Sequence, residues 1–226
     1  MDESFWQARW RKNKIAFHEP QAHEFLREHF TALDLSKGAT VFVPLCGKTL
    51  DIDWLLAKCL HVIGIEFNQS AIEEVFRRLN LTPKISQHGK LIKYEAGELA
   101  LFQGDFFELS ADQLGKVHAI YDRAALVALP EETRQRYAQH LADIAGAAPQ
   151  LVISYSYDQT QTEGPPFSVP TPVLRKLYLD HYSCLSLDRR QIEGPLATRC
   201  SGEESILLLV PRQPNLANGI RDKFRV

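Results

Sequence analysis

Short apolar runs alternate with amphipathic stretches along most of this chain. Residues 3–12 place Phe5, Trp6, Arg9 and Trp10 three and four apart, the spacing of a short amphipathic helix. Phe25, Leu26, Phe30 and Leu33 share a face and predict a second helix from about Pro20 to Leu33, broken by Lys37-Gly38. Thr40 to Pro44 is β-branched and aromatic and ends at a Pro-Leu-Cys-Gly turn, which reads as a first buried strand. Asp51 to Leu60 reads as a helix and His61 to Glu66 as a second strand. Ser70 with Glu73 has the form of a capping box, so a helix is expected to run to about Leu79. Lys84 to Phe102 suits a hairpin or meander leading into Gly104-Asp105-Phe106-Phe107. A strand at Val117–Tyr121, a helix at Glu131–Ala145 and a strand at Leu151–Tyr157 follow. After the stiff Gly164-Pro165-Pro166-Phe167 loop comes a helix from Pro172 to Asp180, with Pro172 in its first turn. Ser183–Arg189 and Ser205–Val210 read as a closing antiparallel pair. Strands alternating with helices, without repeat or linker, predict an α/β chain. It forms a single Rossmann-like domain over residues 1–226, with a mostly parallel sheet and helices on both faces.

Composition narrows the partners. With 226 residues, 45% hydrophobic and 24% charged, the chain can bury a full core. A net charge of -2 without long runs of one sign gives no basis for nucleic-acid binding by bulk charge. The N-terminus lacks a secretory pattern, and the longest apolar run, Ile206 to Val210, is strand-sized, so no membrane span and a cytoplasmic location are expected. Cys46, Cys59, Cys184 and Cys200 form no CxxC pair and read as reduced thiols. The histidines lack HExxH or HxH spacing, so no metal site is expected. No exposed heptad pattern asks for a partner, and a monomer is expected.

Ligands of open α/β sheets sit beyond the carboxyl ends of the strands. The first strand delivers Pro44-Leu45-Cys46-Gly47-Lys48 to that edge. This turn is neither a GxGxxG fingerprint nor a Walker A loop, and it could be purely structural. Glu66 ends the second strand about 20 residues after the turn, where a carboxylate can accept hydrogen bonds from both ribose hydroxyls. The alternative is a helix-capping or ion-paired glutamate. A ribose acceptor beside a single-glycine turn favours S-adenosylmethionine over a dinucleotide, because no pyrophosphate cradle is visible. Asp105 and Phe106 suit an adenine ring or, equally, a strand terminus running into core. Asp122-Arg123 follows the Val117 strand. The two could be a simple ion pair, or Arg123 could hold an anionic acceptor or the cofactor carboxylate.

The strings FWQARW, IAFH, VFVPLCGKTLDIDWL, VIGIE, GDFF, YDRAALVALP, RQRYAQHL, SYDQ and GPPFSVP, in this order between residues 5 and 170, resemble the thiopurine S-methyltransferase family, particularly its bacterial members. The resemblance implies a class I methyltransferase fold with residues 1–36 as a helical cap over the cofactor. It implies cofactor contacts from Trp10, Leu45 (through its backbone or loop), Glu66 and Arg123, with Asp105 and Phe106 near adenine. Trp6 and Phe17 would line the cofactor and acceptor cavity, and Pro165, Pro166 and Phe167 would flank the acceptor. Phe67-Asn-Gln-Ser departs from the family's usual residues, and past residue 185 the likeness fades and transfers no acceptor contact.

Methyl transfer from a sulfonium needs alignment more than acid–base chemistry. Aromatic thiols ionise near neutral pH, so a base is optional. Asp122 is the nearest candidate, though it reads better as an ion-pair partner that orients Arg123. The expectation is an S-methyltransferase acting on small aromatic or heterocyclic thiols. Selenium or tellurium compounds or halides are alternative acceptors, and a cofactor-binding protein without turnover is a further alternative. No Asn/Asp-Pro-Pro-Tyr/Phe motif of nucleic-acid methyltransferases follows the fourth strand.

Overall fold

A computed structural model of the chain describes residues 9–10 and 19–212. The expected helix over residues 3–12 falls largely outside the described residues, although Arg9 and Trp10 are helical. Among the described residues nine strands form one sheet: β1 (Thr40–Val43), β2 (His61–Glu66), β3 (Lys84–His88), β4 (Leu91–Ala96), β5 (Leu99–Gln103), β6 (Ala119–Asp122), β7 (Gln150–Tyr157), β8 (Tyr182–Gln191) and β9 (Gly202–Pro211). Their spatial order is β3-β4-β5-β2-β1-β6-β7-β9-β8. The five central strands β5, β2, β1, β6 and β7 run parallel. The β3–β5 meander adds antiparallel strands at one edge, and β9 pairs antiparallel with both β7 and β8 at the other.

The central strands are continuous apolar runs because both faces are covered. Helices α1 (Glu24–His29), α2 (Asp51–Ala57) and α3 (Gln69–Arg78) pack on one face, where Phe25, Ile52, Leu55, Ile72 and Phe76 meet Val41, Val62 and Tyr121. On the other, α4 (Ala111–Leu114), α5 (Glu131–Ile144) and α6 (Thr171–Leu177) cover Phe42, Ile65, Ile120 and Val152. A last short helix, α7 (Gly194–Ala197), sits in the β8–β9 connection and packs through Leu196 against Tyr157 and Cys200. Among the described residues no helix is long and apolar enough to cross a membrane, and the four cysteines are free thiols.

Two local expectations need correction. The helix expected from Pro20 begins only at Glu24, because the His23 N–H is taken by the Asp51 carboxylate at 2.7 Å, and the His23 ring instead accepts from the Phe25 N–H at 3.2 Å. Its last turn tightens into a 3-10 helix over Phe30–Leu33. Ser70 is not the cap of α3. Asn68 holds the extended cap position, its Oδ1 accepting from Ala71 N at 3.0 Å, while the Ser70 hydroxyl donates to that oxygen and Glu73 accepts from Gln69. Asparagine and serine cap about equally well, so the strand exit decided between them. A full capping box lies elsewhere, between Ser110 and Gln113 of α4.

Gly64 shows how tightly the β1 turn is packed on β2. A Cβ there would sit 2.8 Å from Leu101 Cδ2 and 2.9 Å from Cys46 Sγ. Gly64→Ala is therefore expected to destabilise the fold by about 1–3 kcal/mol through overpacking. Urea denaturation would check this; a loss below about 0.5 kcal/mol, the level of ordinary surface changes, would show that the β1 turn gives way freely.

Candidate functional site

The central strands are parallel, so the carboxyl ends of β5, β2, β1 and β6 lie along one edge. After Val43 the chain reverses through Leu45 and Gly47, both at positive φ (46° and 53°). Positive φ is uncommon for a leucine and easy for glycine. This turn is tied down from two sides. Cys46 N donates to Ile65 O at 3.0 Å. Arg78 of α3 donates to the carbonyls of Lys48 (2.9 Å) and Thr49 (3.2 Å) and pairs with Asp53.

Glu66 joins these parts. Its Oε2 accepts from Gly47 N and its Oε1 from Asn68 N, both at 2.8 Å. Burial raises its pKa, and these backbone donors work in the opposite direction. Each oxygen keeps lone-pair capacity after one such bond. On the neighbouring strand Gln103 stands opposite Glu66, and its Oε1 is buried without a hydrogen-bond partner among the described residues. Register partners on adjacent parallel strands project to the same face, so two acceptors lie side by side here. A buried acceptor without a donor costs about 1–3 kcal/mol. A ribose brings two hydroxyl donors, and these residues fit the adenosine part of S-adenosylmethionine.

Asp105 and Phe106 divide. Asp105, half-buried, caps a 3-10 turn over Phe106–Glu108, its Oδ1 accepting from Phe107 N at 3.1 Å. The Phe106 ring is fully buried against Phe107, Tyr137 and His140. The side chain of Phe106 thus takes the core role that was the alternative reading of this segment.

The expected Asp122–Arg123 ion pair is also corrected. Asp122, fully buried, accepts from Leu126 N at 3.1 Å and from the Tyr137 hydroxyl at 2.8 Å, on the α5 face. Burial pushes its pKa up to about 6 against those hydrogen bonds. Arg123, one residue on, points to the α1 face and pairs with Glu19. Burial acts to lower its pKa, but Asp51 and Glu19 more than reverse this. Side chains alternate across a strand, so neighbours at its end part company.

Arg123 belongs to a buried polar cluster with little trace in the sequence. Asp51 opens α2 and accepts from His23 N at 2.7 Å, the Thr49 hydroxyl at 2.9 Å and the Tyr121 hydroxyl at 3.2 Å. Glu204 of β9 lies 3.2 Å from His23 Nε2 and stands opposite Tyr155 in the β7–β9 ladder. Burial acts to raise Glu204's pKa, but His23, Tyr155 and Arg123 bring it below the usual carboxylate value. Only Asp51 left a signal, as an acid at a helix start just past the turn.

Beside this cluster opens a cavity of about 940 Å³. Arg123, Val127, Tyr155, Pro165 and Pro166 line one part of it, and Glu193–Leu196 with Arg199 and Glu204 line another. Of the residues the resemblance sets beside the acceptor, Pro165 and Pro166 line this cavity. Phe167 instead packs beneath the Arg134 guanidinium at 5.4 Å, its N–H donating to Val127 O at 2.6 Å. The C-terminal wall is new, because sequence resemblance faded before reaching it. Arg9 also lines the cavity, and the adjoining Trp10 is half-buried; Trp6 and Phe17 lie outside the described residues. Away from this edge, Glu28, His29 and Asp188 come together, but Arg190 already bridges both acids, which argues against a cation there.

The model of the thiopurine S-methyltransferase family matches residues 1–205. Thiopurine S-methyltransferase of Gluconobacter oxydans is 43% identical over 211 residues, covering 93% of this chain and 96% of the relative. That of Xanthobacter autotrophicus is 45% identical over 210 residues, covering 92% and 99%. Among solved structures, Burkholderia thailandensis 1,6-didemethyltoxoflavin-N1-methyltransferase, with S-adenosylhomocysteine bound, superposes with a TM-score of 0.62 at 13% identity, covering 92% of this chain and 87% of that one. A methyltransferase from Anabaena variabilis gives 0.61 at 14% identity, covering 93% and 95%. These two share the fold, a class I methyltransferase sheet. The match over residues 1–205 and the bacterial relatives establish more: the chain belongs to the thiopurine S-methyltransferase family.

Proposed function

We propose that this S-adenosylmethionine-dependent methyltransferase acts on small aromatic or heterocyclic thiols, the acceptor type for which its relatives are named. One observation carries the reading: a guanidinium, Arg123, set in a cavity wall of Val127, Tyr155, Pro165 and Pro166, on the same sheet edge as Glu66. Flat apolar rings suit such a wall, and one fixed cation suits one anionic sulfur. Glu66 and Gln103 would take the ribose hydroxyls, and the left-handed Leu45–Gly47 turn lets backbone approach the same ligand. When bound, the cofactor supplies an electrophilic methyl group. The protein's part is to hold the acceptor sulfur in line, favour its anionic form through Arg123 and keep water from the cavity.

No side chain is assigned as a general base. Asp122 is enclosed on the α5 face with both oxygens engaged, so it cannot reach an acceptor in the cavity. Its role is to stop the chain after β6 and to anchor Tyr137.

Three measurements follow. Incubation with adenosylmethionine and thiophenol-type acceptors should form adenosylhomocysteine and the methyl thioether in equal amounts; absence of both for every thiol offered would reject the reading. Glu66→Gln should raise the Kd for adenosylhomocysteine about tenfold or more, the scale of a hydrogen bond to a charged group. A 2′-deoxy analogue should lose less affinity on the variant than on the native chain. An unaltered Kd in the folded variant would return Glu66 to a purely structural role.

Asp122 gives a pH test with a definite sign. Its folded pKa lies above the unfolded value, so the carboxylate's burial cost is absent near pH 4, grows as pH rises and is complete above about 6. Asp122→Asn should therefore gain stability relative to the native chain across that window, by about 3 kcal/mol in total, then stay level to pH 8. Parallel stability curves for the two proteins would contradict the assignment. Loss of an acidic limb in the kcat/KM profile of the variant would make Asp122 a base.

A further inference from the structure

Arg123 and Glu19 form an unequal pair. The Arg123 side chain is 6% exposed and that of Glu19 38%. The guanidinium is fixed in the cavity wall, whereas the carboxylate stands at the wet end and can return to water at small cost. Glu19 also lines the cavity, so it occupies space that an acceptor must enter. Around the same guanidinium stand Asp51 and Glu204, both committed elsewhere: Asp51 to His23 N, Thr49 and Tyr121, and Glu204 to His23 and Tyr155. Three carboxyl groups thus surround one guanidinium, with His23 between two of them. An anion entering this space meets repulsion unless one carboxylate leaves, and Glu19, the most exposed of the three, with only a 3.8 Å approach to His23 Nε2 besides Arg123, is the one placed to leave.

We propose that Glu19 is a displaceable counter-ion of Arg123: it holds the guanidinium in the unliganded protein and yields it to the anionic sulfur of the acceptor. The exchange is one charge for one. The thiolate replaces a carboxylate on the same donor, and the cavity's net charge is unchanged with the acceptor in place. Glu19 thereby acts as a specificity residue. It weakens binding of any anion by the strength of the contact to be broken, and it leaves neutral rings unaffected. This rests on the acceptor reading of the cavity given above, but it can be tested without methyl transfer.

The test uses two aryl probes of similar shape, benzoate and benzamide, titrated by calorimetry into the protein saturated with adenosylhomocysteine. Glu19→Gln should tighten benzoate about tenfold, the scale of one like-charge contact, and leave benzamide within about twofold. The Kd for adenosylhomocysteine should stay within about twofold, and KM for an aryl thiol should fall with kcat little altered. Equal shifts for the two probes, or no shift for benzoate, would overturn the proposal, as would a large loss of adenosylhomocysteine affinity, which would move the pair to the cofactor side. Should Glu19→Gln fail to fold, Glu19→Ala reads the same benzoate-to-benzamide ratio. Arg9 and Arg199 line the cavity too, and Arg199→Ala should leave the effect of the Glu19 change intact; loss of the effect would place the anion on Arg199 and overturn the assignment to Arg123. A native chain that binds benzoate as proposed yet methylates no thiol would count against the function and not against the counter-ion.

Discussion

One carboxylate at a buried strand end fixes the geometry of the exits of β1 and β2. Glu66 bonds at once to the turn after β1 and to the start of α3, so the exits of two neighbouring strands share one anchor. A carboxylate in this position is costly unless donors reach it. Here the backbone supplies two, and each oxygen keeps lone-pair capacity. A structural role and the proposed ribose role are therefore compatible, because the bonds that make the burial tolerable also fix the orientation of the carboxylate. Arg78 completes the arrangement from outside by holding the carbonyls of Lys48 and Thr49.

The second organising constraint is the separation of charge at the end of β6. Asp122 and Arg123 are adjacent in sequence but serve opposite faces of the sheet. Asp122 satisfies its burial locally, through Leu126 and Tyr137, and stiffens the α5 side. Arg123 has no such local partner. It draws in carboxyl groups from the N-terminal segment, from α2 and from β9, and so ties distant parts of the chain together around the cavity.

Much of the fold was legible because buried parallel strands and amphipathic helices carry period and composition signals. His61–Glu66 was read to the residue, and β1, β7, α5 and the closing antiparallel pair to within a few. Glu66 stood out because an acid ending an apolar run is physically conspicuous. What the sequence hid was decided through space. That Asp122 parts from Arg123 depends on which way each side chain leaves the strand end. That Phe106 is core depends on Tyr137 and His140, more than thirty residues away in sequence. Asn68 outcompeted Ser70 as a cap because of the backbone shape after β2, which composition does not encode. Gln103 looked like an ordinary strand residue until its pairing with Glu66 was known. Neither Glu204 nor the Glu193–Arg199 wall carries a local signature.

The sheet order has a bearing on how the molecule is put together. Among the described residues the last strand in chain order, β9, is an inner strand, seated between β7 and β8. Among the described residues β8 pairs with no strand except β9, so it has no seat until β9 has docked on β7. All the parts of the Glu66 edge lie before residue 110 and can assemble early, whereas the cavity wall carried on the β8–β9 connection closes only once β9 has docked. The Glu66 edge is thus older, within the life of each chain, than the far wall of the cavity.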